Sequence, residues 1–316
     1  MFELLVSGDA VVADHDAALA YCQYEWGLPA GRPDWTAAPL GVGAKWTFAR
    51  IQHDRRQAPT ALEILGIPYQ PPGLDERPQG YPYLPEIAAS QGSRPVRNHS
   101  TVVSTRDVYR VAQMLERTGG DFRLDEPDSV LPFPRLWIGF SPSDPGRYRP
   151  NTDGGLRLEV IPHEVLSMPE PEPDALADPL GPGAPVRIVA RTLLVRDLST
   201  TLNALNENFG WCPEQVTEGP DNELRSQFTF PYPRSARLEV VQPNPSGIEG
   251  VFLKRWGPGP YSIRIAVNGL DVLRRRFMSA QIPHQLLPPT TSGRPSLILR
   301  GPERLIGTAF EFVEND

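Results

Sequence analysis

A glutamate flanked by two apolar residues recurs in the alternating segments of this chain. The copies are Leu62-Glu63-Ile64, Leu158-Glu159-Val160, Leu238-Glu239-Val240 and Phe310-Glu311-Phe312. Alternation of apolar and polar residues is typical of a strand with one buried face. Each copy closes a region of mixed strand character, so the pattern predicts four copies of one structural module.

Each predicted module begins with a strand, continues with a helix and ends in strands. In the first module, residues 2–12 predict a strand, and Asp14 is a good N-cap for a helix over 17–24. Segments 45–52 and 60–65 then alternate as the two strands of a hairpin. The same order recurs three times further along, which predicts four βαβββ units in two pairs.

Proline-rich segments divide the chain, which contains 37 prolines. Segment 168–185 is the strongest break in composition, because it is acidic, rich in proline and has almost nothing to bury. It is therefore the predicted domain boundary, and two domains are expected for 316 residues. The predicted divisions are an N-terminal domain 1–167, with modules 1–67 and 95–167 joined by a linker 68–94, and a C-terminal domain 186–316, with modules 186–243 and 257–316.

Composition and charge narrow the class of protein. The apolar share of 40% and the charged share of 22% are those of an ordinary globular protein. The net charge is −7 without an extended Lys/Arg cluster, so nucleic acid is not an expected partner. No apolar run is long enough to predict a membrane span. Cys22 and Cys212 imply no disulfide framework, so a cytoplasmic location is expected. The sequence leaves open whether the protein forms a homo-oligomer.

Three segments at predicted first strands and helix starts resemble a known superfamily. They are Val12-Ala-Asp-His-Asp-Ala-Ala-Leu-Ala-Tyr21, Val195-Arg-Asp-Leu198 and Ser262-Ile-Arg-Ile-Ala-Val-Asn-Gly-Leu-Asp271. The chain resembles the vicinal-oxygen-chelate superfamily, which includes glyoxalase I, methylmalonyl-CoA epimerase and the extradiol dioxygenases. The resemblance implies an α+β fold, in which four βαβββ modules pair into two open, barrel-like cups of mixed sheet with the helices outside. It covers nearly the whole chain outside the two proline-rich linkers.

The resemblance also implies a place where a metal would bind. In metal-dependent members a His or Gln on the first strand acts with a closing-strand glutamate, and the metal serves as a Lewis acid or activates oxygen. The glutamate is matched in all four modules. The first-strand position is Ser7, Ala190 and Ser262 in modules one, three and four. Only module two has a histidine near it, His99, and since Ser104, Thr105 or Asp107 could begin the helix there, two registers one residue apart stay open. The C-terminal pair lacks both histidines of the 2-His-1-carboxylate arrangement, so iron-dependent ring cleavage of the usual kind is not expected.

The N-terminal cup carries the first group of candidate residues. Strand alternation places Ser7 and Asp9 on one face, and if the helix covers the other face, Asp9 points into the cup with Glu63, Glu159 and His99. Clustered carboxylates push one another's pKa apart, which suits proton transfer or metal binding. The alternatives are that Asp9 pairs with an arginine such as Arg50 or Arg157, and that His99 bonds to the backbone.

The C-terminal cup carries a second group. Glu239 and Glu311 face a cup without an imidazole, and Arg264 lies on the same predicted face. A carboxylate–arginine pair of this kind satisfies buried charge, or it binds an anionic or carbonyl ligand through the guanidinium. Trp46 and Trp137 occupy matching strands of modules one and two, where they fit either a core or the lining for an aromatic ligand.

These residues lead to three hypotheses of function. The first is an enzyme with isomerase or lyase chemistry by proton transfer on a small oxygenated apolar or aromatic metabolite, with or without a divalent metal (Fe, Mn, Ni or Zn). The second is a non-catalytic protein that binds or sequesters such a compound, and the third is a divergent metal-dependent extradiol dioxygenase. The candidates are catalytic residues His99, Asp9, Glu63 and Glu159, metal ligands His99 and Glu159 if a metal binds, and substrate-binding residues Ser7, Trp46, Trp137, Arg264, Glu239 and Glu311.

Overall fold

A computed structural model of the chain describes most of both predicted domains. The described residues are 1–12, 14–29, 35–37, 45–49, 51–52, 54–66, 100–127, 132–171, 181–219, 222–287, 295–300 and 309–315. The predicted linker 68–94, Arg50, His99 and the side chain of Trp46 lie outside them, and so does segment 172–180 of the predicted linker 168–185. The division into two domains stays a prediction.

Strands make up most of the regular structure. In chain order they are β1 Phe2–Leu5, β2 Ser7–Val12, β3 Trp35–Ala37, β4 Lys45–Ala49, β5 Ala61–Gly66, β6 Thr101–Thr105, β7 Phe122–Asp125, β8 Arg135–Ile138, β9 Phe140–Ser141, β10 Asp144–Tyr148, β11 Leu158–Pro162, β12 Pro185–Leu194, β13 Gln215–Glu218, β14 Leu224–Phe228, β15 Arg237–Gln242, β16 Gly259–Val267, β17 Gln285–Leu287, β18 Ser296–Arg300 and β19 Ala309–Glu314. The helices are α1 His15–Tyr21, α2 Val108–Thr118, α3 Leu198–Phe209, α4 Ile248–Trp256 and α5 Leu270–Ser279.

The C-terminal strands form one mixed sheet in the order β13-β14-β15-β12-β16-β19-β18-β17. Each module's first strand runs parallel to its closing strand, which places Thr192 beside Glu239 and Arg264 beside Glu311. The two first strands, β12 and β16, pair antiparallel at the centre of the sheet. This is the predicted pairing of two βαβββ units.

The N-terminal strands repeat this order with one interruption. They form two sheets, β1-β6-β11-β8-β7 and β2-β5-β4-β3. Val6 joins the sheets, because its N–H donates to Val102 O at 2.9 Å and its carbonyl accepts from Ala61 N at 2.9 Å. The strand predicted over 2–12 is therefore one strand broken at Val6 into β1 and β2, and β9 and β10 form a separate small hairpin.

Aspartates begin three of the helices, as the sequence predicts for Asp14. Side chains of Asp14, Asp107 and Asp197 each accept a backbone N–H from three residues further on, which satisfies a donor at the helix start. Helix α1 continues into a π-helical turn, Cys22–Trp26, and ends at Gly27 in the left-handed conformation. No helix among the described residues is long and apolar enough to cross a membrane.

One apolar core lies on the helix side of the sheets. In the first module Ala10 and Val12 belong to it together with Ala18 of α1. The core continues between the two halves of the chain, where the Trp26 ring centroid lies 4.7 Å from that of Phe310. The opposite faces of the strands carry the closing glutamates. The predicted α+β fold class is confirmed, with helices on one side of open mixed sheets.

The contact between α1 and β5 depends on a glycine at position 66. A Cβ on Gly66 would lie 2.5 Å from the Cβ of His15 and 3.2 Å from its backbone. We expect Gly66→Ala to lower the free energy of unfolding by about 1–3 kcal/mol, because the helix must move away from the strand. Urea-induced unfolding measures this. Gly219→Ala is the control, since its Cβ would meet atoms no closer than 3.4 Å. An equal loss of stability in both variants would contradict the view that close packing of α1 on β5 requires a glycine at position 66.

Candidate active site

A group of buried polar side chains occupies the N-terminal cup. We call it the N-terminal acid cluster and define it as Ser7, Asp9, Glu63, Ser100 and Glu159. All are at most 5% exposed. Parallel pairing of β2 with β5 places Asp9 beside Glu63, and Gly8 and Ala10 on the other face of β2 point into the core. The predicted orientation of Asp9 toward the cup is therefore what the structure shows.

Asp9 and Glu63 form a closely coupled carboxyl pair. Ser7 Oγ donates to Asp9 Oδ1 at 2.6 Å and lies 3.1 Å from Glu63 Oε2. Burial, followed by the negative charges of Asp9 and Glu159, raises the pKa of Glu63 well above its usual value. Because a serine hydroxyl has only one proton to donate, a neutral Glu63 supplies the second donor that this arrangement requires.

Glu159 approaches the pair from the second module. Its Oε2 accepts a hydrogen bond from Ser100 Oγ at 3.0 Å. Burial raises the pKa of Glu159 to about 7, and the charge of Arg135 and the Ser100 hydroxyl oppose that rise. A carboxyl with this pKa exchanges its proton near neutral pH, which is the property that a general acid or base needs.

Aromatic side chains lie next to the acids. Lateral pairing places Trp137 beside Glu159 and Phe48 beside Glu63. Trp137 is fully buried, and its Nε1 donates to Asp125 Oδ2 at 2.8 Å, so its polar edge is satisfied within the protein. Trp137 thus forms part of the packed wall of the cup. The predicted substrate contacts of Trp46 and Trp137 stay predictions.

Strand register identifies the counterpart of Ser7 in the second module. Ser7 precedes the residue beside the closing glutamate by two positions. In the second module the residue beside Glu159 is Val102, so the matching position is Ser100, and Ser100 binds Glu159 as Ser7 binds Glu63. Alternation along the strand is compatible with Ser100 at this position. Because the helix start in that module was uncertain, the sequence analysis selected the neighbouring residue, His99, instead. The role predicted for His99 stays a prediction, because that residue lies outside the described ranges.

The C-terminal cup contains a different arrangement, a chain of alternating charges. Arg264 Nη1 donates to Glu239 Oε1 at 2.8 Å, and Arg264 Nε donates to Glu311 Oε2 at 2.8 Å. Arg225 Nη1 donates to the other oxygen of Glu239 at 2.7 Å. Although burial acts to raise the pKa of Glu239, the charges of Arg264, Arg225 and Arg237 hold it below its usual range. The predicted Arg264 pair is present, and its binding role stays a prediction.

Neither cup fits a metal ion among the described residues. In the C-terminal cup the Arg264 guanidinium lies between the two carboxylates, so a cation already occupies the space that a metal would take. Across the described ranges, no three His, Cys, Asp or Glu side chains come together in a way that could hold a metal. Zinc, iron, manganese and nickel sites in proteins are built from such groups. The predicted metal pair, His99 and Glu159, stays untested.

Comparisons with solved structures place the fold. A variant of 4-hydroxymandelate synthase from Streptomyces coelicolor matches with a TM-score of 0.61 at 12% identity, over 99% of this chain and 93% of that one. Homoprotocatechuate 2,3-dioxygenase from Arthrobacter globiformis matches with a TM-score of 0.60 at 11% identity, over 100% and 80%. A halotolerant catechol dioxygenase matches with a TM-score of 0.52 at 12% identity, over 100% and 89%.

These three structures define the class to which the fold belongs. All three are vicinal-oxygen-chelate proteins, so the chain has the fold of that superfamily, and the predicted resemblance is confirmed at the level of fold. No family model and no curated protein sequence matches the chain. The fold alone does not determine the chemistry, which has to be argued from the site.

Two arginines next to the acid cluster were missed by the sequence analysis. Arg135 on β8 is 2% exposed and its charge acts on Glu159. Arg191 on β12 belongs to the other half of the chain and is fully buried against β2. Neither shows a local signal, because alternation along a strand identifies which residues share a face but not which strands meet.

Proposed function

We propose that the protein is an enzyme that transfers a proton at a carbon next to a carbonyl group, an isomerase or lyase reaction carried out by the N-terminal acid cluster. The carrying observation is that Asp9, Glu63 and Glu159 are buried, and that their surroundings raise the pKa of Glu63 well above its usual value and the pKa of Glu159 to about 7. Carboxyl groups with separated pKa values divide the roles of acid and base.

The proposed reaction needs only these groups. Ionised Glu159 removes the proton from the α-carbon, and the electron pair of the C–H bond forms the C=C bond of an enol. Glu63 delivers its proton to the carbonyl oxygen, so no free enolate accumulates in the buried site. Protonated Glu159 then returns its proton to the opposite face of the α-carbon and the enol proton returns to Glu63, so the product is the epimer of the substrate and no atom is gained or lost.

The charge of the cluster favours a neutral substrate. Glu63 is already exposed to the negative charges of Asp9 and Glu159, and an additional anion would be repelled in surroundings of low dielectric constant. Phe48 and Trp137 on the adjacent strands add an apolar wall. The fold neighbours named for catechol and 4-hydroxymandelate chemistry suggest an oxygenated aromatic compound. The proposed substrate class is therefore a small neutral aromatic or apolar hydroxycarbonyl compound.

Proton exchange in D₂O tests this proposal without knowledge of the physiological substrate. A panel of neutral aryl hydroxyketones and hydroxyaldehydes is incubated with the protein, and loss of the α-proton signal is followed by ¹H NMR. We expect exchange above the buffer rate, reduced by about 100-fold or more in Glu159→Gln, because a general base contributes at least this much. Glu164→Gln, at an exposed glutamate in the same segment, should leave the exchange rate unchanged.

The same experiment separates the alternatives. If a compound of the panel raises the unfolding temperature without α-proton exchange, the protein is a binding or sequestering protein and the proposal is wrong. Catechol with added Fe(II) and oxygen tests the third hypothesis. A yellow ring-cleavage product formed by the protein would replace proton transfer with dioxygenase chemistry.

A further inference from the structure

An arginine from the C-terminal sheet lies against the N-terminal acid cluster. Arg191 is fully buried, and its Nη1 donates to the backbone carbonyl of Asp9 at 3.3 Å. Its Nε and Nη2 have no hydrogen-bond partner among the described residues. Unpaired donors of a buried guanidinium are costly, so packing alone does not account for a charged residue at this position.

The two halves of the chain approach closely at this point. A Cβ on Gly8 would lie 3.2 Å from side-chain atoms of both Ile188 and Ile263 in the C-terminal sheet. Gly8 therefore allows β2 to pack against β12 and β16. Arg191 is opposite Ile263 in the pairing of β12 with β16, so it lies on the face of the C-terminal sheet that meets β2.

We propose that Arg191 is a positioning residue of the N-terminal acid cluster, which holds the β2 backbone at Asp9 and presents a positive charge to the Asp9–Glu63 pair. The catalytic meaning of this contact rests on the proposed function, but the contact and its electrostatic effect do not. The C-terminal half then contributes to a site whose acids all come from the N-terminal half. The two halves form one functional unit.

The charges around the pair give Arg191 a defined effect. The negative charge of Glu159 on β11 raises the pKa of Glu63. Arg135 on β8 lowers the pKa of Glu159, and Asp125 on β7 raises it. From the C-terminal half, Arg191 faces the pair. Burial lowers the pKa of Arg191 to about 10, against the effect of the two acids, so it is cationic at neutral pH. Its charge favours one ionised carboxyl in the pair.

Carboxyl titration of the ligand-free protein tests this role. The protein is labelled with ¹³C at the carboxyl carbons of Asp and Glu, and Asp9→Asn and Glu63→Gln assign the signals of the pair. In wild type we expect one ionised carboxyl in the pair at pH 7. In Arg191→Met the midpoint of its ionisation should move upward by about one pH unit or more, and Arg191→Lys should restore a midpoint close to that of wild type.

Controls separate electrostatics from packing. Arg187→Met changes a partly exposed arginine on the same strand and should leave the titration of the pair unchanged. A folded Arg191→Met protein that titrates as wild type would show a purely structural role and overturn the proposal. If Arg191→Met does not fold, Arg191→Gln is titrated in the same way. Two protonated carboxyls in the wild-type pair at pH 7 would overturn it whatever the variants do. Because no substrate is present, the result is independent of the proposed reaction.

Discussion

Replacing Glu239 with alanine should lower the free energy of unfolding by about 3–5 kcal/mol, the range found when one partner is removed from a buried ion pair. Glu239 is 1% exposed and accepts from both Arg225 and Arg264. Its removal leaves two guanidinium groups near each other in the cup. Among the described residues, Arg225 then keeps Glu223 and Arg264 keeps Glu311 as its carboxylate partner. Urea-induced unfolding followed by tryptophan fluorescence measures the loss.

Arg237→Ala is the matched control for this prediction. Arg237 lies 3.8 Å from the same carboxylate, but its side chain is 43% exposed. Solvent screens such a pair, so its loss should change stability by about 1 kcal/mol or less. Similar losses in Glu239→Ala and Arg237→Ala would contradict the view that the buried Arg225–Glu239–Arg264–Glu311 network holds the C-terminal cup together.

Relative to wild type, Glu159→Gln should be more stable at high pH than at low pH. Because the pKa of Glu159 is raised from 4.5 to about 7 on folding, the unfolded chain releases this proton first. The stability linked to Glu159 is complete below pH 4.5, falls as pH rises to about 7, and is lost above it. One pKa unit equals about 1.4 kcal/mol, so the total is roughly 3 kcal/mol.

The comparison of two pH values isolates this effect. We expect the difference in unfolding free energy between Glu159→Gln and wild type to be about 3 kcal/mol more favourable to the variant at pH 8 than at pH 4. Asp153, another group with a raised pKa, is present in both proteins, so its contribution largely cancels. The charge of Glu159 also raises the pKa of Glu63, so the loss of that charge lowers the pKa of Glu63 and adds to the difference in the same direction. Glu164→Gln should follow the wild-type pH profile. Parallel profiles for Glu159→Gln and wild type would show that Glu159 is not held protonated by its surroundings.

Local patterns predicted the modules well because they act over short distances. The alternation around Glu63, Glu159, Glu239 and Glu311 gives a closing strand in every module, and each is paired with its own first strand. Asp14 caps the first helix as predicted, because an N-cap needs only its own side chain and the next helical turn.

The register of the second module was harder to predict. A strand has a period of two, so an error of one residue exchanges its faces. Three neighbouring residues suited the helix start there, and the structure selects Asp107, which accepts from Arg110 N. With this start, Ser100 rather than residue 99 takes the position equivalent to Ser7.

Periodicity within each strand and helix was enough to predict the four βαβββ modules, their pairing and the face on which Asp9 and the four glutamates lie. Several contacts between charged groups could be seen only in the folded protein. The fold added Arg225 to the predicted pairing of Arg264 with Glu239 and Glu311, broke the first strand at Val6, and brought Arg191 across to Asp9. Those contacts join residues far apart in the chain, and they depend on how whole sheets pack against each other, which no local pattern encodes.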